Sequence, residues 1–423
     1  MRHLIIGAGP AGVVAAEHLR KYDPDGTVML VGEEPEPPYS RMAIPYLLMD
    51  RIDERGTYLR KDPSHFDRLG IGVVRDRVTA VDTASRSVAL AGGGSAAYDR
   101  LLIATGASPV VPPIPGMDNE RVHACWTLED ARRIAAAAGK GSSVVLIGAG
   151  FIGCIILEAL VERRVELTVV ELEDRMVPRM LNETAGGLLG SWCQQRGVKL
   201  RVSSRVASIE PGTSGHPLRV VVEGGESIGA DIVIRATGVH SNIDFLEGSG
   251  IDTDRGVRVN EYLEASVPGV YAAGDVAESR DFSTGAYVVQ AIQPTAVEHG
   301  RAAALYMARG HGHPQRGTLN MNVLDTLGLV SSSFAQWMGI DGGDSAETVD
   351  SDAFRYLNLQ FQDDVLIGAT ALGLTEHVGV IRGLIQGRIR LGSWKSKLMA
   401  DPTRLVEAYL ASTLPMGRNA YVI

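Results

Sequence analysis

Cysteine is scarce in this 423-residue chain, which has only Cys125, Cys154 and Cys193. The number is odd and no two form a C-x-x-C pair. That argues against a disulfide framework or a zinc site and predicts a reducing, cytoplasmic setting. The ten histidines show no H-E-x-x-H spacing, so no metal site is expected. A basic excess is also missing. Against 41 Lys and Arg stand 50 Asp and Glu, a net charge of −9, which offers no electrostatic footprint for nucleic acid. No apolar run approaches the ~20 residues that span a bilayer. The chain enters a strand almost at once, so no signal peptide is expected. Glycine, by contrast, is abundant at 49 residues, as many strand-to-helix turns and phosphate loops require. The length predicts two or three domains with substantial cores.

A glycine pattern occurs twice in the same local context. Gly7-x-Gly9-x-x-Gly12 follows the apolar run Leu4–Ile6, and Gly148-x-Gly150-x-x-Gly153 follows Val144–Ile147. Each precedes a segment of helical character. One glycine allows the tight turn, one lets the backbone approach a pyrophosphate, and one lets helix and strand pack closely. The diphosphate then sits on the free N–H groups at the helix start. A second strand follows each motif, Val28–Val31 before Glu33 and Leu167–Val170 before Glu171. An acid there accepts hydrogen bonds from ribose hydroxyls, although both also fit solvated strand ends. Later in each unit the chain repeats itself again, as Ala104-Thr105-Gly106 and Ala236-Thr237-Gly238. The doubling points to a protein that holds two dinucleotides face to face.

Between these landmarks, residues 39–70 read as a helix-containing excursion. A strand is expected over 73–81, another over 87–90, with a hairpin turn at Gly92–Gly94. The run Pro109–Pro115 has four prolines and makes a natural linker. Helices are expected over 128–138 and 183–196, and strands around 198–202, 205–210 and 218–223. A short strand runs into Gly274-Asp275. Past residue 318 no phosphate loop occurs. Strands over 354–361 and 365–374 and helices over 376–386 and 402–411 predict a third, α+β domain.

These motifs, with Ala273-Gly274-Asp275, resemble those of the two-dinucleotide flavoproteins. These are the FAD-containing, NAD(P)H-dependent pyridine nucleotide-disulfide oxidoreductases and their ferredoxin-reductase-like relatives. The resemblance is strong from residue 1 to about 318. Beyond, it is looser, to the coenzyme A-disulfide reductases and the flavin portion of nitrite reductases. It implies an α/β fold of two Rossmann-like domains, as in glutathione reductase, plus a C-terminal α+β interface domain. Residues 1–111 and 239–318 would form a discontinuous FAD domain, 112–238 the NAD(P)H domain, and 319–423 a homodimer interface. FAD would contact Gly7, Gly9, Pro10, Ala11, Gly12, Glu33, Glu34, Arg41, Val78, Ala104, Thr105, Gly106 and Gly274. Asp275 would bond the ribityl chain. Pro294 and Thr295 would open a helix facing the flavin pyrimidine ring, its dipole stabilising negative charge on reduced flavin. Arg41 would meet the pyrophosphate, which suits a guanidinium fork. NADH or NADPH would contact Gly148, Gly150, Phe151, Ile152, Gly153, Glu171, Thr237 and Gly238. Glu171 repels a 2′-phosphate and favours NADH, with Arg175 and Arg179 nearby as the opposing feature.

Two departures stand out. Thiol-using members place a redox cysteine where Ser40-Arg41-Met42-Ala43-Ile44-Pro45-Tyr46 has Met42. A thioether forms no thiolate. The Ser-Lys pair of the ferredoxin-reductase branch is also missing, because Pro45-Tyr46 stands there. Many relatives also carry Glu near the nicotinamide where this chain has Ile155; Glu158 lies one turn further on. Tyr46 reads as a packing residue, and the three cysteines as buried and inert. His311-x-His313 reads as exposed, and Trp394-Lys395 as core packing beside a solvated lysine.

The expected activity is hydride transfer from NAD(P)H to FAD, then electron delivery without a redox cysteine to a redox protein or small molecule. The cofactor carries that chemistry and the protein orients it. Two alternatives remain. One is a flavoprotein subunit or redox-responsive binding module with little NAD(P)H turnover. The other is a disulfide reductase using a displaced cysteine.

Overall fold

Strand β1 (Arg2–Ile6) is the centre from which the first half is built. Its apolar residues are buried, as befits a parallel strand covered on both faces. It pairs in parallel with Thr27–Gly32 on one side and Arg100–Ile103 on the other. Val270–Ala272 and Ile71–Arg75 close the two edges of this five-stranded sheet. Helix α1 (Pro10–Tyr22) leaves the glycine turn with Pro10 in its first turn, where a missing N–H costs nothing. The computed structural model describes residues 1–212, 215–310 and 312–413.

The second unit repeats the plan. Strand β2 (Ser143–Ile147) lies in parallel between Glu166–Val170 and Ile232–Arg235. Lys199–Arg201 and Val122–Ala124 complete another five-stranded sheet. Helix α2 (Phe151–Glu162) follows its glycine turn. The chain passes between the units along two short strands. Ala107–Pro109 and Val239–Ser241 pair antiparallel, each directly after one Ala-Thr-Gly sequence. The proline run thus begins inside this two-stranded crossing. Helix α3 (Gln293–Arg309) then packs on α1.

The expected single strand over 73–81 is two. It breaks at Asp76-Arg77, where the Asp76 carboxylate accepts from the N–H groups of Arg77 and Gly92. Val78–Asp82 starts a separate three-stranded antiparallel sheet.

Past residue 318 the described residues form a five-stranded antiparallel sheet with three helices, Val378–Gln386, Ser393–Ala400 and Leu405–Thr413. Two of its strands, Arg355–Gln362 and Val365–Leu372, match expectation, as do the first and last helices. Three strands were not legible. Leu329–Ala335 carries buried Ser331, Ser332 and Ser333 where an apolar run would announce a strand. Asp344–Asp350 is an edge strand that is mostly exposed. Met321–Thr326 is the other edge. Tyr356 and Leu372 share a core with Leu157 and Leu189, so this sheet rests on the second unit. Among the described residues no helix is long and apolar enough to cross a membrane.

Candidate functional site

The two glycine turns have the same internal geometry. A Cβ added to Gly7 would lie 2.1 Å from the Ala104 carbonyl oxygen, and one on Gly148 would lie 2.5 Å from that of Ala236. The first glycine of each motif therefore lets the turn press against the Ala-Thr-Gly strand end. A Cβ on Gly12 would meet the Gly7 oxygen at 1.9 Å, and one on Gly153 the Gly148 oxygen at 2.2 Å. Helix and strand could not approach so closely otherwise. Gly9 and Gly150 differ: a Cβ there would meet nothing within 4 Å. Those two positions border open space, as a diphosphate would require.

That space, on the Gly9 side, is a cavity of about 1110 Å³. It exceeds the range usual for a drug-sized ligand, about 300–1000 Å³. Gly7, Gly9, Pro10, Ala11, Glu33 and Val78 line it, as do Ala104–Gly106 and Gly274-Asp275. Met42, Pro45, Phe151, Ile152 and Ile155 line it as well. The first turn of α2 therefore borders the same cavity that starts at the first glycine loop. Both departures from the family pattern, Met42 and Ile155, meet there and give it an apolar wall. Gly148, Gly150, Gly153, Glu171, Thr237, Gly238, Gly12, Pro294 and Thr295 lie outside its lining.

Small residues form one wall. A Cβ on Gly274 would touch the Cβ atoms of Ala11 at 3.2 Å and Ala296 at 3.3 Å, and one on Gly300 would overlap the Ala11 oxygen at 2.3 Å. Behind it, buried His299 accepts from the Gly274 N–H at 3.4 Å. Burial pulls the imidazole down to about 4, so it carries no charge at neutral pH. Burial also pushes Asp275 up to about 6, with Arg41 opposing the shift.

The charged side chains of the site also pair among themselves and with the backbone. Glu34 takes the Arg41 guanidinium at 2.6 Å and also accepts from the Tyr39 hydroxyl. Arg41 further donates to the Trp126 carbonyl at 2.7 Å and lies near the Tyr39 and Trp126 rings. Glu33 is exposed at the cavity rim. Glu171 is buried, and its carboxylate accepts from the N–H groups of Ala149, at 2.5 Å, and Glu173, at 2.9 Å. It therefore holds the second glycine loop directly. Arg175 donates to the Leu181 carbonyl and pairs with Asp174, whereas Arg179 is exposed. Thr105 and Asn242 exchange two hydrogen bonds of 2.9 Å across the inter-unit crossing. Thr237 donates to the Val110 carbonyl on the same crossing.

Tyr46 is not a packing residue, for it is 49 % exposed beside Met42 at 44 %. Its short helix, Ile44–Leu48, buries Ile44, Pro45 and Leu48 and turns Tyr46 outward. Glu158 does not line the cavity. Burial raises its pKa, Asp325 of the third domain adds to the shift, and Arg51 opposes it. Trp394 is half-buried under Lys397 and Arg404, and Lys395 pairs with Asp344. His311 lies outside the described residues; His313 is exposed.

Residues 1–304 match the family model described as pyridine nucleotide-disulphide oxidoreductase. The chain belongs to this family. It is an oxidoreductase that uses FAD and a pyridine nucleotide. It is 30 % identical over 415 residues to the NADH-dependent phenylglyoxylate dehydrogenase subunit epsilon of Aromatoleum evansii, covering 97 % of this chain and 98 % of that one. To the NADH oxidase of Methanocaldococcus jannaschii it is 30 % identical over 317 residues, 73 % of this chain and 70 % of that one. The reductase in the covalent putidaredoxin reductase–putidaredoxin complex has the same fold, with a TM-score of 0.88 at 23 % identity over 98 % of this chain and 99 % of that one. The residues present fit a flavin dinucleotide. Gly9 leaves room for its diphosphate, and the Asp275 carboxylate has no hydrogen-bond partner among the described residues.

Several contributors escaped the sequence reading: His299, the Arg41–Trp126 contact, Asn242, and a bond from Ser40 to Gln293. Each depends on chain segments far apart in sequence, so no local pattern signals them.

Cys154 and Cys193 pack in the core, and Cys125 borders the cavity. All three are buried. Burial raises Cys125 and Cys193 to about 12 and Cys154 well above its usual value. Thiolates, the reactive form, are therefore scarce at neutral pH. A displaced-cysteine disulfide reductase finds no support here. Replacing Cys125, Cys154 and Cys193 together by Ala should lower the melting temperature but leave flavin reduction by NADH near the wild-type rate. A folded, FAD-loaded triple variant that no longer turns over would show that a thiol takes part.

Proposed function

We propose that the chain is the NADH-linked flavin subunit of a larger redox assembly, exchanging electrons between NADH and a protein partner. The observation that carries this reading is the cavity itself. It runs from the first glycine loop to the first turn of α2, and the one cysteine in its lining, Cys125, is buried and kept protonated by that burial. Full-length similarity to a dehydrogenase subunit supports the partner. FAD, when bound, would supply the hydride acceptor, passing the two electrons to the partner and releasing the proton to solvent. The chain's residues bind and orient. In this reading 1–111 and 239–318 form the FAD domain and 112–238 the NADH domain. Gly9 and Gly150 leave room for the two diphosphates, Asp275 holds the ribityl chain, and Arg41 reaches the FAD pyrophosphate by leaving Glu34. Met42 and Ile155 exclude water beside the reacting rings. Three buried thiols fit a reducing cytoplasm.

Glu171 sets the nucleotide preference. Its negative charge is fixed beside the second glycine loop, and Arg175 is tied elsewhere, so a 2′-phosphate meets repulsion. NADH should reduce the flavin faster than NADPH in anaerobic stopped-flow. Glu171→Gln keeps one acceptor, enough for the Ala149 N–H, gives up the one that Glu173 uses, removes the charge and should narrow the ratio. A clear NADPH preference in the wild type would refute this assignment.

Residues 319–423 serve as a twofold interface in this reading, the commonest symmetry among oligomers. Light scattering should give a dimer at micromolar concentration. A monomer there would turn this domain into a partner-docking surface instead.

A further inference from the structure

In the proposed arrangement the positive end of α3 faces the charge that builds up on reduced flavin. The flavin-adjacent lysine of the ferredoxin-reductase branch is replaced within Pro45-Tyr46. Arg41 is assigned to the pyrophosphate, and burial keeps His299 uncharged. One side chain at the cavity is held in place and still has donors free. Gln293, the first residue of α3, lines the cavity. Its Oε1 accepts from the Ser40 hydroxyl at 2.6 Å, a bond between residues 253 positions apart. That bond uses the oxygen side of the carboxamide. The Nε2 donors have no partner among the described residues. Ser40 immediately precedes the turn Arg41–Ala43, so the same bond ties the Met42 segment to the start of α3.

We infer that Gln293 donates a side-chain hydrogen bond to the pyrimidine edge of the bound flavin, and that Ser40 is the positioning residue that turns its amide toward the ring. This rests on the reading that FAD fills the cavity with its pyrimidine ring at α3. The consequence is a change in redox balance. Hydride uptake would add two electrons and one proton to the ring and leave a single negative charge, on that edge. A donor there favours the reduced form more than the oxidised form, because hydrogen bonds to charged groups are the stronger ones. Ser40 fixes the amide orientation in advance, so the donor needs no reorganisation when the charge arrives. Gln293 thus offers a donor without placing a further full charge in the cavity.

The test is the midpoint potential of the bound flavin, measured by equilibration with a reference dye. Gln293→Leu should favour the oxidised form about tenfold over wild type, a negative shift of about 30 mV for a two-electron couple. Ser40→Ala should shift it in the same direction by less, since the amide stays but is free to turn. A FAD-loaded Gln293→Leu protein with an unchanged potential would overturn the inference. If Gln293→Leu does not hold FAD, Ser40→Ala decides: an unchanged potential there removes the positioning role. Wild-type protein that takes up no FAD on reconstitution would instead defeat the underlying reading of the cavity.

Discussion

Gly9→Val should give a folded protein that has lost its flavin. The backbone at Gly9 has φ −77° and ψ −174°, which any residue adopts. The added side chain meets no protein atom near its Cβ, so it enters only the space reserved for the diphosphate. The poorer helix cap costs about 0.5–2 kcal/mol, small beside the usual folding stability of about 5–15 kcal/mol. Gly12→Ala makes the contrast. Its Cβ would lie 1.9 Å from the Gly7 oxygen, so it must force α1 off β1 and damage the fold itself. Gel filtration followed by an absorbance spectrum separates the two outcomes. Gly9→Val should elute as wild type but colourless, and Gly12→Ala should melt early. Stoichiometric FAD in Gly9→Val would contradict the placement of the diphosphate.

Gly300→Val should lower both stability and flavin affinity. The clash is with backbone, the Ala11 carbonyl at 2.3 Å, so no side chain can swing aside. Helix α3 must move from α1, and such overpacking costs about 1–3 kcal/mol or more. The shift also opens the wall formed by Ala11, Gly274 and Ala296, against which the flavin would lie. Gly187→Ala is the control. It sits in the helix Glu183–Gln195 with nothing within 4 Å of the added Cβ, and should stabilise by about 0.5–1 kcal/mol. Calorimetry with and without added FAD reads both effects. Equal melting temperatures for Gly300→Val and wild type would mean that the two helices are not held as closely as described.

The double glycine motif was legible because its requirements are local. Each turn presses against a neighbouring strand end and a helix start, and only glycine permits both contacts. The echo of Ala104-Thr105-Gly106 in Ala236-Thr237-Gly238 was legible for the same reason. Its meaning was not, for the two threonines hold the crossing between units through Asn242 and Val110. Arg41 is expected to meet the pyrophosphate from the family resemblance alone. Its hold on Glu34 and Trp126 needs three distant segments and leaves no trace in spacing. Tyr46 misled because an aromatic beside Pro45 suggests packing, whereas a five-residue helix has room to bury only one face. In the third domain, serines in a buried strand and acids on an edge strand hid the periodicity on which strand recognition depends.

The central claim is that one chain holds FAD and receives electrons from NADH without a thiol. The direct measurement is the absorbance spectrum of the purified, FAD-reconstituted protein during anaerobic addition of one equivalent of NADH. The yellow flavin band should bleach fully, and as fully in the protein lacking Cys125, Cys154 and Cys193. A flavin that is bound but not bleached by NADH or NADPH would contradict the account.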